Sequence, residues 1–265
     1  MEYITELSAL KDVIRARGSL LIAFSGGVDS SLLAVIAREV LRDRMNCVLL
    51  DSPLLPRRSY REAIALAGEY DLPLTVLSFS LLSRDDILRN SRDRCYFCKK
   101  GTAELFHNEL VRLGFSGVAD GVNLSDYGEH RPGLIACEEE GILHPFVEAG
   151  ITKPMIRAIA RSMSLSFWNK PSAACLASRL PYGDEITPER LHMIEVAEDA
   201  LFDLGYQGFR VRMHGTIARV EMRRDLMEQA FKDRDAILAA LKSAGFRYCT
   251  LDLEGYRTGS MDEVL

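Results

Sequence analysis

Through residues 1–18, apolar and charged positions alternate at helical spacing, which predicts an amphipathic helix. Residues 20–24 form a short unbroken apolar run, as expected of a strand buried on both faces of a parallel sheet. Beyond it the two periods take turns. Helices are predicted over 30–42, 58–70 and 100–113, and strands over 46–51, 74–78 and 117–120. Strands separated by helices of this length build βαβ units, so this part is expected to be an α/β fold with a parallel sheet covered on both faces. Ligands of such sheets lie beyond the carboxyl ends of the strands. The loops after Phe24, Leu50, Ser78 and Asp120 are therefore the ones to search for chemistry.

A further helix is predicted over 153–163. Residues 169–183 are rich in Pro, Ser, Ala and Gly and carry no period, and the domain boundary is placed inside them, giving domains over 1–170 and 171–265. In the second, Thr187 suits the cap and Pro188 the first turn of a helix over 188–204. Strand-like runs at 209–213, 218–222 and 248–253, with a helix over 224–244, predict a smaller α+β domain. There is no internal repeat or low-complexity segment.

Composition narrows the class. A chain of 265 residues, 48% hydrophobic and 27% charged, has the make-up of a soluble globular enzyme. The net charge of −5 argues against bulk nucleic acid or an anionic membrane as the main partner. No apolar run is long enough to span a bilayer, and the N-terminus lacks the features of a secretory signal, so a cytoplasmic location is expected. There the 6 cysteines stay reduced, and buried inert thiols are the default reading.

The strongest local signal is Ser25-Gly26-Gly27-Val28-Asp29-Ser30-Ser31 between a buried strand and a helix. Two glycines let the backbone turn tightly and bring N–H groups close to a phosphate. The helix that follows adds its N-terminal N–H groups and the positive end of its dipole. Ser25, Ser30 and Ser31 offer hydroxyls, and Asp29 a carboxylate suited to Mg²⁺. The Gly-Lys-Ser/Thr ending of a Walker loop is absent. A glycine-rich turn without a ligand is the plainer alternative, which the full hexapeptide disfavours. Ser25 to Ser30 resembles the signature of the N-type ATP pyrophosphatases, the PP-loop superfamily. That resemblance implies an adenine nucleotide alpha hydrolase-like fold, cleavage of ATP between its α and β phosphates, an adenylated intermediate and release of pyrophosphate.

Cys95 and Cys98 form a Cys-x-x-Cys pair among Arg92, Arg94, Lys99 and Lys100, which favour thiolate. Alone the pair fits packed thiols, a redox pair or half a metal site. Cys175 has small and polar neighbours and Arg179 close by, which suits an accessible thiol; a structural loop cysteine is the alternative. Cys47 and Cys249 lie in apolar runs and read as core, and Cys137 could complete a four-thiolate zinc site. Tyr96 and Phe97, between the paired thiols, suit shielding of a cluster, stacking on a ring or simple loop packing.

Several motifs together are similar to those of the LarE-type sulfur transferases, from about Leu20 nearly to the C-terminus. They are Asp120-Gly121-Val122-Asn123, Asp126, Arg131-Pro132-Gly133, Trp168-Asn169-Lys170-Pro171, Cys175-Leu176-Ala177-Ser178-Arg179, Pro181-Tyr182-Gly183 and Phe209-Arg210-Val211-Arg212. The resemblance implies adenylation of a carboxylate of pyridinium-3,5-biscarboxylic acid mononucleotide and its conversion to a thiocarboxylate, on the route to the nickel-pincer nucleotide cofactor. Some members sacrifice the sulfur of the cysteine matched by Cys175. The extra Cys95 and Cys98 depart from that pattern and resemble members in which three cysteines, here Cys95, Cys98 and Cys175, hold a 4Fe–4S cluster whose open iron carries sulfide. A homo-oligomer, hexameric in that family, and a sulfide source or cysteine desulfurase as partner are further implications.

Asp120, Asn123 and Asp126 follow a predicted strand, where ribose, Mg²⁺ or substrate is expected; an Asx-rich turn bonding its own backbone is the alternative. Asp51 and Ser52 follow the second strand and suit adenine or ribose. Arg210 and Arg212 alternate with Val211, so both point to one strand face and could clamp the phosphate that the resemblance places there; a solvated face is the alternative. Arg179 is a further anion-binding candidate. Glu198 and Glu221 match acidic positions that the resemblance links to metal binding and subunit packing. Two rivals stand beside this reading: a tRNA thiolase or amidating synthetase on the same nucleotide domain, and a zinc-stabilised module that binds nucleotide without chemistry. The first should bring a basic face or an RNA-binding module, and neither is seen.

Overall fold

A computed structural model describes residues 3–128, 132–171, 174–257 and 259–261. Arg131 of the motifs above lies outside the described residues, as do Ser172 and Ala173 between Pro171 and Cys175. In chain order the helices and strands are α1 (Ile4–Ala16), β1 (Leu20–Ala23), α2 (Val28–Leu41), β2 (Met45–Asp51), α3 (Arg57–Glu69), β3 (Leu74–Ser78), α4 (Asp85–Leu88), α5 (Arg94–Leu113), β4 (Val118–Ala119), α6 (Pro132–Glu139), α7 (Pro145–Glu148), α8 (Lys153–Ser162), α9 (Pro188–Asp203), β5 (Phe209–His214), β6 (Ile217–Met222), α10 (Met227–Lys232), α11 (Arg234–Ser243) and β7 (Tyr248–Leu251).

The chain divides into two compact units, each drawn from separate stretches. Unit 1 is Met1–Ser52, Ser59–Leu81 and Cys95–Ala173; unit 2 is Pro53–Arg58, Leu82–Arg94 and Ala174–Leu265. Unit 1 holds a parallel sheet in the order β3-β2-β1-β4. Its centre is β1, where Leu20, Leu21 and Ile22 are fully buried, as their unbroken apolar run requires. Leu143 adds one parallel bridge beyond Ala119 of β4. A core of Leu21, Val48, Ala103, Phe106, Val118 and Ile142 fills one side of the sheet. On α1 the apolar face is Leu7, Leu10 and Ile14, spaced by three and four residues.

Unit 2 holds a mixed sheet in the order β5-β6-β7, antiparallel then parallel. Its core joins Ile194, Ala197 and Leu201 of α9 to Phe209, Val211 and Met213 of β5, with Leu54 added from early in the chain. Thr187 caps α9 by accepting from the Arg190 N–H at 3.3 Å.

The elements depart from the pattern in several places, among them the unpredicted helices α4, α6 and α7. The helix predicted from residue 100 starts at Arg94, because the aromatic residues between the paired cysteines and the basic residues flanking them hide the apolar period without breaking a helix. The helix predicted over 224–244 is interrupted at Asp233, whose carboxylate accepts from Tyr206 Oη at 2.6 Å. Within 169–183, Leu176–Arg179 forms a 3-10 turn.

Candidate functional site

The phosphate loop of unit 1 is prearranged by its own hydroxyls. Ser30 Oγ accepts from the Ser25 N–H at 3.2 Å and lies 3.1 Å from Ser25 Oγ. Ser30 Oγ also donates to the Gly27 carbonyl at 3.3 Å, and Ser25 Oγ accepts from the Gly27 N–H at 3.4 Å. Gly26 has φ +68°, and a Cβ there would stand 2.7 Å from Ala63 Cβ, so the position demands glycine twice over. Gly121 answers to the same crowding: a Cβ on it would be 2.8 Å from Ser30 N and 2.9 Å from Asp29 Cβ. The loop after β4 thus lies directly on the amino end of α2. Val28 is buried on α2, and the fully buried Ser31 Oγ has no hydrogen-bond partner among the described residues.

Two lysines that the sequence reading did not single out for chemistry attend this loop. Lys153 Nζ binds both carboxylate oxygens of Asp29, one at 2.5 Å. Lys170 Nζ donates to the Gly26 carbonyl at 3.0 Å and pairs with Glu62 at 3.0 Å. Lys153 opens a helix and Lys170 lies in a motif, but no local pattern marks either as a neighbour of residues 26–29.

Asp120 and Asn123 are buried. Asp120 Oδ1 accepts from the Val122 N–H at 3.0 Å and lies 2.7 Å from His144 Nδ1. Burial works against the charge of His144, but the bond to Asp120 and the fields of Asp120 and Glu138 outweigh it, and its pKa lies above the ordinary range. His144 Nε2 is buried with no hydrogen-bond partner among the described residues. Asn123 Oδ1 accepts from the Ser125 N–H, and Asp126 Oδ2 accepts from the N–H and Nδ2 of Asn123. These are the bonds of an Asx turn, and they fix the loop beside α2. Asp51 ends β2 opposite Ser78, and Ser52 is buried just beyond it.

Cys95 and Cys98 occupy the first turns of α5, Cys95 exposed and Cys98 half-buried. Gly133 of α6 packs on this turn, since a Cβ there would meet Lys99 Cγ at 3.2 Å and Cys95 Cβ at 3.8 Å. Burial pushes the Cys137 thiol up to about 11. Lys99, Thr102, Asp120 and Cys137 line a small cavity of about 10 Å³. Tyr96 packs edge-on against Phe97 at 5.5 Å and donates to Glu139. Cys47 is buried, whereas Cys249, expected in the core, is half-buried on β7.

In unit 2, Cys175 is exposed. Arg179 is buried; it donates to the carbonyls of Ala174 and Cys175 at 2.8 and 3.1 Å and grips both oxygens of Glu198. Glu198 Oε1 also accepts from the Val211 N–H at 3.0 Å. Arg212 donates twice to Glu221 Oε2, at 3.0 and 2.8 Å, and to the Ser178 carbonyl at 2.9 Å. Both glutamates therefore serve buried guanidiniums of their own unit. Arg210 is buried too, with its guanidinium 5.0 Å from the Tyr256 ring centroid and Nη1 donating to the Phe209 carbonyl. Burial, then the charge of Arg179, lowers its pKa. Among the described residues, no group of three or more His, Cys, Asp or Glu side chains is gathered to hold a metal ion.

A family model described as NAD synthase matches residues 4–93, which contain the phosphate loop. The pyridinium-3,5-bisthiocarboxylic acid mononucleotide synthase of Lactiplantibacillus plantarum is 35% identical over 98% of this chain and 94% of its own length. An uncharacterized protein of Synechocystis is 35% identical over 98% of both chains. A glutamine-hydrolyzing GMP synthase of Brucella melitensis matches only 24% of this chain, at 36% identity.

Proposed function

We propose that this chain, which belongs to the family of the pyridinium-3,5-bisthiocarboxylic acid mononucleotide synthase, is an ATP-dependent sulfur transferase that turns a carboxylate of pyridinium-3,5-biscarboxylic acid mononucleotide into a thiocarboxylate. The similarity over 98% of the chain carries the reading, and the prearranged phosphate loop supports it.

The loop N–H groups and the amino end of α2 hold the β and γ phosphates while the substrate carboxylate attacks the α phosphorus. A carboxylate–phosphorus bond forms, the bond to the β-phosphate oxygen breaks, and pyrophosphate leaves. Adenylation converts a poor leaving oxygen into AMP, which a sulfur nucleophile then displaces. Asp29, a loop carboxylate with 28% side-chain exposure, would hold Mg²⁺ together with phosphate oxygens, and the ion would offset phosphate charge.

Cys95, Cys98 and Cys175 are the thiols a 4Fe–4S cluster would use. Cys95 and Cys98 would come from unit 1 and Cys175 from unit 2, the open iron would supply sulfide, and no step is derived through a cluster. Cys175 is assigned the sulfur step: its thiolate attacks the acyl carbon, AMP leaves, and breaking its Cβ–S bond after loss of the α proton gives thiocarboxylate and dehydroalanine. Arg179 steadies this loop through the carbonyls of residues 174 and 175. Residues 171–265 are proposed to receive the substrate, with Arg210 suited to its phosphate and Arg212, bound to Glu221, as the other half of the proposed clamp only if phosphate displaces that carboxylate, and 1–170 to activate it. A cytoplasmic homo-oligomer supplied by a sulfide source or cysteine desulfurase completes the proposal.

Anaerobic turnover with ATP, sulfide and the mononucleotide, followed by mass spectrometry of product and protein, tests it. The product should gain sulfur in place of oxygen, with AMP and pyrophosphate released and the mass of H₂S lost at Cys175. An intact Cys175 after product formation would transfer the donor role to supplied sulfide. Absence of pyrophosphate release when the mononucleotide is added would sink the reading altogether.

A further inference from the structure

The pairing of Lys153 with Asp29 is the feature that nucleotide activation leaves unexplained. Lys153 is the first residue of α8, where the positive end of the helix dipole disfavours a cation. It is nonetheless held there. Its N–H donates to Ser125 Oγ at 3.1 Å, and the Leu124 N–H donates to the Ile151 carbonyl at 3.0 Å, so the turn after β4 fixes the amino end of α8. Its ammonium reaches the second residue of α2, at the mouth of the phosphate loop. The amino ends of α2 and α8 thus share one ion pair, whose side chains keep 28% and 32% exposure and are open to an entering ligand. Two helix amino ends and an ammonium suit an anion richer in charge than one carboxylate.

We propose that Lys153 is a latch on the phosphate loop: it neutralises Asp29 while the loop is empty, and exchanges that carboxylate for the β and γ phosphates when ATP enters. Asp29 is thereby released to face Mg²⁺, and each side chain meets a charge opposite to its own. Lys153 is then a phosphate-binding residue of this enzyme, and Ser125 the residue that positions it. The inference rests on the phosphate-loop reading.

Calorimetric binding to the full chain tests it, with ATP in EDTA, Mg–ATP, inorganic pyrophosphate and AMP as ligands. Lys153→Met should weaken pyrophosphate and Mg-free ATP by about tenfold or more, the worth of a charge-assisted bond, and leave AMP unchanged. Lys153→Arg should restore most of the loss. Asp29→Asn should act in the opposite sense, tightening Mg-free ATP and pyrophosphate because the ammonium no longer has a carboxylate to leave. If Lys153→Met and Asp29→Asn both bind pyrophosphate as the unaltered chain does, the latch is wrong while the loop stands. If the unaltered chain binds neither ATP nor pyrophosphate, the loop reading itself fails and the latch with it. Should Lys153→Met fold poorly, the opposite sign expected of Asp29→Asn still decides the matter.

Discussion

His144 shows how one buried residue ties the site to pH. It is 8% exposed, beside an Asp120 that is 7% exposed. Its pKa in the fold lies above the ordinary value of about 6.5, because Asp120 and Glu138 outweigh burial and the opposing charge of Lys99. A raised histidine pKa means that the folded state binds the proton more tightly than the unfolded chain. The stabilisation is complete below about pH 6.5 and is lost as pH rises through the folded value. The stability gap between the unaltered chain and His144→Gln should therefore be larger at about pH 6 than at about pH 8.5 in urea titrations. A gap constant across that range would show that the imidazole does not titrate there. The same residue marks a limit of sequence reading. Ser25 to Ser30 announce themselves because their bonds stay within five positions. His144 meets Asp120 across 24 positions, and Lys153 meets Asp29 across 124, and nothing local encodes either meeting.

At the scale of elements, the alternation of Arg210, Val211 and Arg212 was legible, but the destination of the guanidiniums was not. In register, Arg212 of β5 lies opposite Arg219 of β6, two like charges face to face. Glu221, fully buried, resolves the conflict: it receives Arg212 on one oxygen, and Arg219 and Ser260 on the other. Burying that carboxylate is tolerable only because every partner is present. Glu221→Gln keeps the shape and removes the charge, leaving two guanidiniums close together without their shared counter-ion. A loss of about 3–5 kcal/mol is expected, read as a lower denaturant midpoint at unchanged slope. Replacing Arg212 by Met and Glu221 by Leu together should recover much of it, since an apolar pair carries no desolvation cost. A Glu221→Gln variant as stable as the unaltered chain would mean that the carboxylate is not needed where it is buried.

At the scale of the whole molecule, the β/α alternation of the first half and the α+β make-up of the second follow from period and turn chemistry alone, and both are present in the fold. The membership of residues 53–58 and 82–94 in unit 2 could not be seen that way. Those stretches look like connections: one runs between prolines, and the other is polar and interrupted by Asn90. What they supply is non-local. Leu54 enters the unit 2 core, and its carbonyl accepts from the Leu176 N–H at 2.9 Å. The Arg57 N–H donates to Glu195 at 2.5 Å. The carbonyls of Leu88 and Asn90 accept from Ile186 and Gly183, at 2.9 and 3.0 Å. Arg94, buried, donates to the Ala177 carbonyl at 3.1 Å. A fragment of residues 174–265 would lose all of these: the Leu176 N–H would be left without its partner, the Ala177 carbonyl would keep only the Leu180 N–H, and the Leu54 site would be empty. It should keep the far-ultraviolet circular dichroism of its helices and strands but unfold over a broad range at a lower temperature than the same unit in the full chain. A sharp transition matching that of the full chain would show that the two early stretches decorate unit 2 without completing it. The expected broad one would make them part of its core, so that the last third of the sequence acquires a single native state only when segments from the first third are bound to it.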